Sequence, residues 1–375
     1  MRIPVLRKSV DLLALVLSLL IVTEALPASP TIVKANEEAR AKGYTFYSSH
    51  DELVARAKKE AKLRASSNMN APTLQRLADA FKQKYPFIAD VRLEEISLQD
   101  AFQRFILEMK SGQVKGLDVT HIPVDFAQEY PPYLMKYDIF GMAKQGVLKI
   151  DPRMIHPTER NMVSVATSIR VLVYNRKLIS DDKLPARWED LLKPEFSGKK
   201  FVLDLRPHVV AGLVPLWGLE RTVDFARKLA AQQPVWGGSS TRSTTRVASG
   251  ESAVYLAANY NTVNRVIQKD PTGNLNYKII EPVPVVIVDT ASGLLSTADH
   301  PHAGLLFLEF LASPEGQEII DKFEPQKASL YTPGSAAAQV TKGRELSVVD
   351  WGHFSKLEGY LGKIFDAYGF PKADK

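Results

Sequence analysis

The chain has 375 residues, 45% of them hydrophobic and 24% charged, with a net charge of +6 and no cysteine. That size and balance suit two globular domains or one two-lobed unit that buries its cores without staples. The missing cysteines exclude disulfides, thiolate nucleophiles, thiolate metal sites and the lipid-modified cysteine of a lipoprotein anchor. The basic excess is spread along the chain, with no run of Lys and Arg interleaved with aromatics of the kind that nucleic-acid binding calls for.

The N-terminus carries Arg2, Arg7 and Lys8, then the apolar run LLALVLSLLIV, Leu12–Val22. This run is too short to span a membrane and has the length of a signal-peptide core. Ala25, Ala28 and Ala35 offer cleavage points, so residues 1–35 are expected to be a signal peptide. No later apolar run reaches spanning length, and the chain reads as a soluble, exported, periplasmic monomer.

Residues 36–48 are polar and weakly patterned. Ser49-His50-Asp51-Glu52 has the form of a capping box and predicts a helix with Leu53, Val54, Ala57 and Ala61 on one face. A short strand at Leu63–Ala65 breaks at Ser66-Ser67-Asn68-Met69-Asn70. Pro72 suits the first turn of a helix that buries Leu74, Leu77, Ala78, Phe81 and Tyr85. VRLEEI is the next strand, Ala101, Phe102, Phe105, Ile106 and Met109 mark another helix, and LDVTHI is a third strand. This alternation predicts a parallel sheet with crossover helices, whose ligands sit beyond the strands' carboxyl ends. Ser66–Asn70 and Thr120-His121 are expected at two such ends.

Two long extended runs, 161–175 and 277–290, bracket a separate α/β block containing KKFVLDLRP and VASGESAVYLAANYNTV. The pattern predicts an α/β fold of two lobes, each a mostly parallel sheet flanked by helices, joined by two crossing strands. On this reading residues 36–165 plus 280–335 form the first lobe and 166–279 the second. Residues 336–375 form a C-terminal helical extension that packs aromatics on the outside of a lobe.

ELVARAKKEAKLRASS, LADAFKQKYP, LVYNRKLI followed by LPARWEDLLKPEFSGK, VASGESAV and HPHAGLLFLEFLASPEGQEII occur here in one order. In that order they resemble the bacterial extracellular solute-binding proteins of ABC importers, family 1, in the branch that includes the ferric-ion-binding proteins. The resemblance covers roughly residues 50–325 and implies a type 2 periplasmic-binding fold. It also implies a ligand in the cleft between the lobes, hinge closure on binding, delivery to an importer permease at the inner membrane, and no catalysis. No G-x-S-x-G or H-E-x-x-H motif contradicts this, and no cofactor is called for. His300 and His302, at the start of the HPHA helix, read as capping groups.

In the ferric-ion binders two adjacent tyrosines at one strand end supply phenolates. Here Tyr260 falls on the first position, and Asn261 replaces the second. The first-lobe loops also lack that branch's histidine and carboxylate. The cleft wall expected is polar and uncharged, made of Ser66, Ser67, Asn68, Asn70, Thr120, Asn259, Tyr260 and Asn261, with His121 beside it. Arg206, after the strand FVLDL, and Arg242, in GGSSTRSTTR, are the candidate cations. Arginine pairs bidentately with carboxylate or phosphate, and a helix starting in that hydroxyl-rich segment would point N-terminal amides at an anion. The ligand expected is a small organic anion. A ferric ion at an atypical site and a sensing module for a signalling partner are the alternatives. Cell fractionation is expected to recover the protein in the periplasm without its first 25–35 residues; full-length chain in the membrane fraction would refute export with cleavage.

Overall fold

The structure, a computed structural model, describes residues 29–96 and 99–370; most of the expected signal peptide lies outside the described residues. The chain runs α1 (Pro30–Ala41), α2 (His50–Glu60), β1 (Lys62–Ser67), α3 (Ala71–Lys84), β2 (Asp90–Glu95), α4 (Gln99–Lys110), β3 (Val119–Ile122) and α5 (Ile139–Lys144). β4 (Met162–Ser164) and β5 (Ser168–Asn175) follow, then β6 (Phe201–Asp204), α6 (His208–Ala211), α7 (Val214–Trp217), α8 (Leu219–Ala231) and β7 (Val235–Gly237). Next come α9 (Ser240–Ala248), β8 (Val254–Asn259), α10 (Tyr260–Ile267), β9 (Leu275–Lys278), β10 (Val283–Val286) and β11 (Ala291–Leu294). The chain ends with α11 (Pro301–Ala312), α12 (Pro314–Phe323), α13 (Ala336–Thr341), β12 (Leu346–Val349), α14 (Trp351–Phe354) and α15 (Leu357–Ala367). Among these described residues no helix is long and apolar enough to cross a membrane.

Two sheets organise these elements. The first has the order β2-β1-β3-β11-β4, and the second β12-β10-β5-β8-β6-β7 with β9 also paired to β5. The sheets are mixed rather than mostly parallel. β1 is parallel to β2 and β3, and β6 to β7 and β8, as crossover helices require. The antiparallel pairs involve the strands beside the two crossings: β11 with β3 and β4, and β5 with β8, β9 and β10. The first extended run is therefore two strands, β4 and β5, broken at 165–167, and the second holds the end of β9 and all of β10 before the chain passes back between lobes at 287–290.

The pairing differs from the expected lobe limits. β10 hydrogen-bonds to β5 and β12, so residues 283–286 belong to the second sheet and the return crossing comes after them, not before residue 280. The C-terminal segment is also not purely helical. It adds β12 as an edge strand parallel to β10 and lays α15 against α8. Near the terminus the rings of Tyr368 and Phe370 lie 4.9 and 4.6 Å from Trp236 of β7. A four-residue strand is hard to see in sequence when its partner is 63 residues upstream, Val283 opposite Leu346, and the residues around it are helical. At the other end, α1 occupies part of a stretch expected to be patternless. Ser29 caps it, and Ala39 anchors it in the first-lobe core. Cleavage after Ala25 or Ala28 leaves α1 whole, whereas cleavage after Ala35 divides it.

α3 forms as its sequence predicts. Asn70 caps it through Thr73 N, Pro72 sits in the first turn, and Leu74, Leu77, Ala78 and Phe81 are buried on one face. Phe81 then packs edge-on against Phe307 at 5.3 Å, which ties α3 to α11. Every residue of α11 from Ala303 to Leu311 is buried and the residues just before them are half-buried, so the first-turn amides need partners within the protein. Two carboxylates from other elements do so. Asp118 Oδ1 accepts from His300 N at 2.8 Å. Glu60 accepts from His302 N at 3.2 Å and from Ala303 N at 2.8 Å. The histidines expected as caps are instead partners of the capping carboxylates: His300 Nδ1 meets Asp118, and His302 bridges Glu60 and the Tyr47 hydroxyl. Glu60→Ala leaves two part-buried amides without their acceptor and is expected to cost about 2 kcal/mol in urea unfolding, with Glu60→Gln costing about half. Equal stability of Glu60→Ala and the parent chain would show that the cap is dispensable.

Candidate functional site

A cavity of about 220 Å³ opens on the second lobe beside the return crossing. Its polar wall is Arg170 from β5, Asp204 and Arg206 at the end of β6, His208 at the start of α6, Ser240 at the start of α9, Tyr255 of β8 and Asp289 of the crossing segment. Val286, Val349 and Leu357 give it an apolar side, so the C-terminal segment helps to build it. The volume equals that of about seven liquid waters, enough for a solute of modest size.

Local structure explains how these groups meet. β6 pairs in parallel with β7, which sets Asp204 opposite Gly237. A Cβ at Gly237 would fall 2.4 Å from Ser243 Oγ and 2.9 Å from Val202, so only glycine lets α9 approach the sheet this closely. Ser239 then caps α9 by accepting from Arg242 N, which brings Ser240 to the cavity wall. The Ser240 hydroxyl lies beside that of Tyr255 but outside hydrogen-bond geometry, leaving its Oγ buried without a partner. The Tyr255 ring is buried, and burial chiefly pushes its phenol up to about 12, aided by Asp204 and opposed by Arg170 and Arg206. At neutral pH it is therefore a hydroxyl donor.

The two arginines differ. Arg206 closes on Asp204, with Nη2 to Oδ2 at 2.9 Å, Nε to Oδ1 at 3.2 Å and its own backbone N to Oδ1 at 2.9 Å. Asp204 is buried, so this pair is a fixed part of the wall. The half-buried guanidinium of Arg170 has no ion pair or hydrogen bond among the described residues, though it lies in the field of Tyr255. An arginine held in a strand with its donors unused is prepared to meet an anionic group.

Of the site residues expected from sequence, only Arg206 lines this cavity. Arg242 is exposed on α9. Asn259 caps α10 through Asn261 N and donates to Ser168 Oγ at 2.7 Å. Tyr260 turns inward, edge-on to Tyr277 at 5.0 Å, with its phenol pushed up by burial and by its neighbour. Asn261 is buried with its side-chain oxygen unpartnered. In the first lobe, Thr120 and His121 lie inside β3 opposite β11 rather than at a strand end, and both are buried. Ser66 Oγ accepts from His121 N, Ser67 Oγ from Met69 N, and Asn70 caps α3. Asn68 holds the crossing segment, accepting from Thr290 Oγ1 at 2.8 Å and donating to Asp289 O at 3.3 Å. The sequence reading missed Arg170, His208, Ser240, Tyr255 and Asp289. The available signal was Arg170, a lone charge in the apolar strand SIRVLVYN.

A solute-sized cavity beside the crossing of a two-lobed α/β fold defines a solute-binding protein of the type that serves ABC importers. The chain belongs to the bacterial extracellular solute-binding family, whose model matches residues 134–357. Solved structures agree on the fold. Iron-bound HitA from Pseudomonas aeruginosa has a TM-score of 0.55 at 19% identity, covering 82% of this chain and 99% of its own. FutA from Trichodesmium, in complex with iron and citrate, has a TM-score of 0.61 at 18% identity, covering 83% and 100%. The Atu4243–GABA receptor has a TM-score of 0.60 at 16% identity, covering 84% and 99%. No curated protein matches the chain by sequence.

His121 generates a pH prediction. Burial chiefly, with Lys327 adding, lowers its imidazole from 6.5 to about 3, against a raising hydrogen bond with the Ala291 backbone; Ser66 and the Phe102 ring are its other neighbours. As pH falls below 6.5 the unfolded chain takes up this proton first, so stability is complete above that pH and declines towards pH 3. The slope is up to about 1.4 kcal/mol per pH unit from this group. His156, lowered to about 4 by burial, adds in the same direction. Denaturant unfolding at pH 7, 6 and 5 should show the decline, and His121→Gln should make it shallower; parallel slopes would exclude His121 as a source.

Proposed function

We propose that this protein captures a small solute bearing an anionic group in the second-lobe cavity, closes its lobes over it, and delivers it to an ABC importer permease at the inner membrane from the periplasm. Membership of an extracellular solute-binding family supports export and a transport role. The observation that carries the ligand class is the Arg170 guanidinium, unpaired in a cavity that also holds the protonated Tyr255 hydroxyl and the start of α9. Those donors suit a carboxylate or phosphate oxygen. Membership of a solute-binding family favours binding without turnover.

A second reading, ferric ion, has its own support. Several proteins of this fold are iron-binding, and the Tyr277 phenol lies against that of Tyr260, where the sequence shows only one tyrosine at the strand end. Among the described residues, no cluster of three or more His, Asp or Glu side chains is placed to assist these phenols. Two measurements separate the readings. Mass spectrometry of gently purified protein should find an intact organic solute bearing an anionic group, and Arg170→Gln should weaken its binding about 10- to 150-fold, the loss of one charge-assisted contact. Titration with ferric citrate should give no saturable visible band. A tyrosinate band saturating at one equivalent and lost in Tyr260→Phe would instead establish iron.

A further inference from the structure

We infer that the solute is a zwitterion, its anionic group on Arg170 and a cationic group on the Asp289 carboxylate; this rests on the solute-capture reading above. The cavity holds two arginines, two aspartates and His208, and His208 is already engaged within the protein. Asp204 and Arg206 consume each other's charge. Arg170 and Asp289 remain, and neither side chain has an ion pair or hydrogen bond among the described residues; both are half-buried. The buried cation beside Asn68, Lys327, is paired with Glu324 at 3.0 Å.

A wall with one unspent charge of each sign selects against a simple anion. Closing the lobes removes water from both groups. A monoanion would satisfy Arg170 but leave Asp289 desolvated, unpaired and repulsive. A solute with an ammonium or quaternary nitrogen a few bonds from its carboxylate satisfies both, and a volume of about 220 Å³ suits such a molecule.

The two residues also stand where binding can act on the hinge. Arg170 begins three residues after the outward crossing at 165–167, and Asp289 lies within the return crossing at 287–290. Asn68 of the first lobe grips that segment through the Asp289 carbonyl and Thr290. A ligand bridging Arg170 and Asp289 therefore ties the second sheet to the segment held by the first lobe.

Titration calorimetry on the mature chain tests this with matched sets, each an amino acid or betaine, the acid lacking its nitrogen, and the amine lacking its carboxylate; 4-aminobutyrate, butyrate and butylamine form one set, and α-, β- and γ-amino acids and glycine betaine extend the panel. At least one zwitterion is expected to bind, with its nitrogen-free acid about tenfold weaker or worse. Asp289→Asn, which keeps the side chain's shape, should weaken the zwitterion about 10- to 150-fold and leave the acid unchanged or tighter. Arg170→Gln should weaken both. Acids that bind as well as their zwitterions, an Asp289→Asn variant that binds the zwitterion normally, or a panel with no bound zwitterion each overturns the inference. Acids binding without regard to nitrogen would leave solute capture standing, whereas an iron band with no organic binding would remove both.

Discussion

A chain that passes between two sheets must satisfy its backbone polar groups at the passage, where neither sheet can pair them. At the outward crossing Val165 N donates to Thr290 O, Thr167 N to Lys327 O, and Gln317 Nε2 to Val165 O. Ser164 Oγ reaches Ile287 O at 2.9 Å, and Asn68 secures the return crossing. The two crossings thus bond to each other, to the first-lobe loop after β1 and to the segment after α12. This junction sets where β5 and β10 enter the second sheet, and so where Arg170 and Asp289 stand. Under the proposed closure, the change would fall here, on a few residues at element ends.

Charge follows a consistent economy around that junction. Where the fold needs rigidity, charges are consumed internally: Glu60 and Asp118 at the start of α11, Lys327 with Glu324, Arg206 with Asp204. Buried ions without partners are expensive, so these pairs belong to the scaffold. The unspent guanidinium of Arg170 departs from that pattern inside the second-lobe cavity beside the return crossing, which is why it carries the functional reading.

The C-terminal segment belongs to this architecture. β12 extends the second sheet past β10, Val349 and Leu357 line the cavity, and Trp351 packs on His156 of the first lobe at 4.9 Å. The segment completes the binding lobe while touching the other, so it stands in the path of any movement between them.

Elements stabilised by neighbours in sequence were legible. The Asn70 cap and the buried face of α3, the Ser49 cap of α2, the strand ending at Asn259 and the helix start in GGSSTR follow from side chains a few residues apart. The two-lobed α/β class follows from the same local periods together with the two β-rich runs. The site was not legible, because its members converge only through strand neighbours distant in sequence. Nothing local says that β5 lies between β10 and β8, that Gly237 admits α9 to the sheet, or that Arg206 spends its charge on Asp204. The strand end at Asn259-Tyr260-Asn261 looked like a ligand wall, yet Tyr260 packs on Tyr277 and Asn259 caps the helix that follows. Sequence alone determined many of the helices and strands and the fold class, since local hydrogen bonding and periodic burial suffice for those. Which charges stay unpaired, and in which cavity, was decided by tertiary structure, because pairing depends on distances that only the packed sheets define.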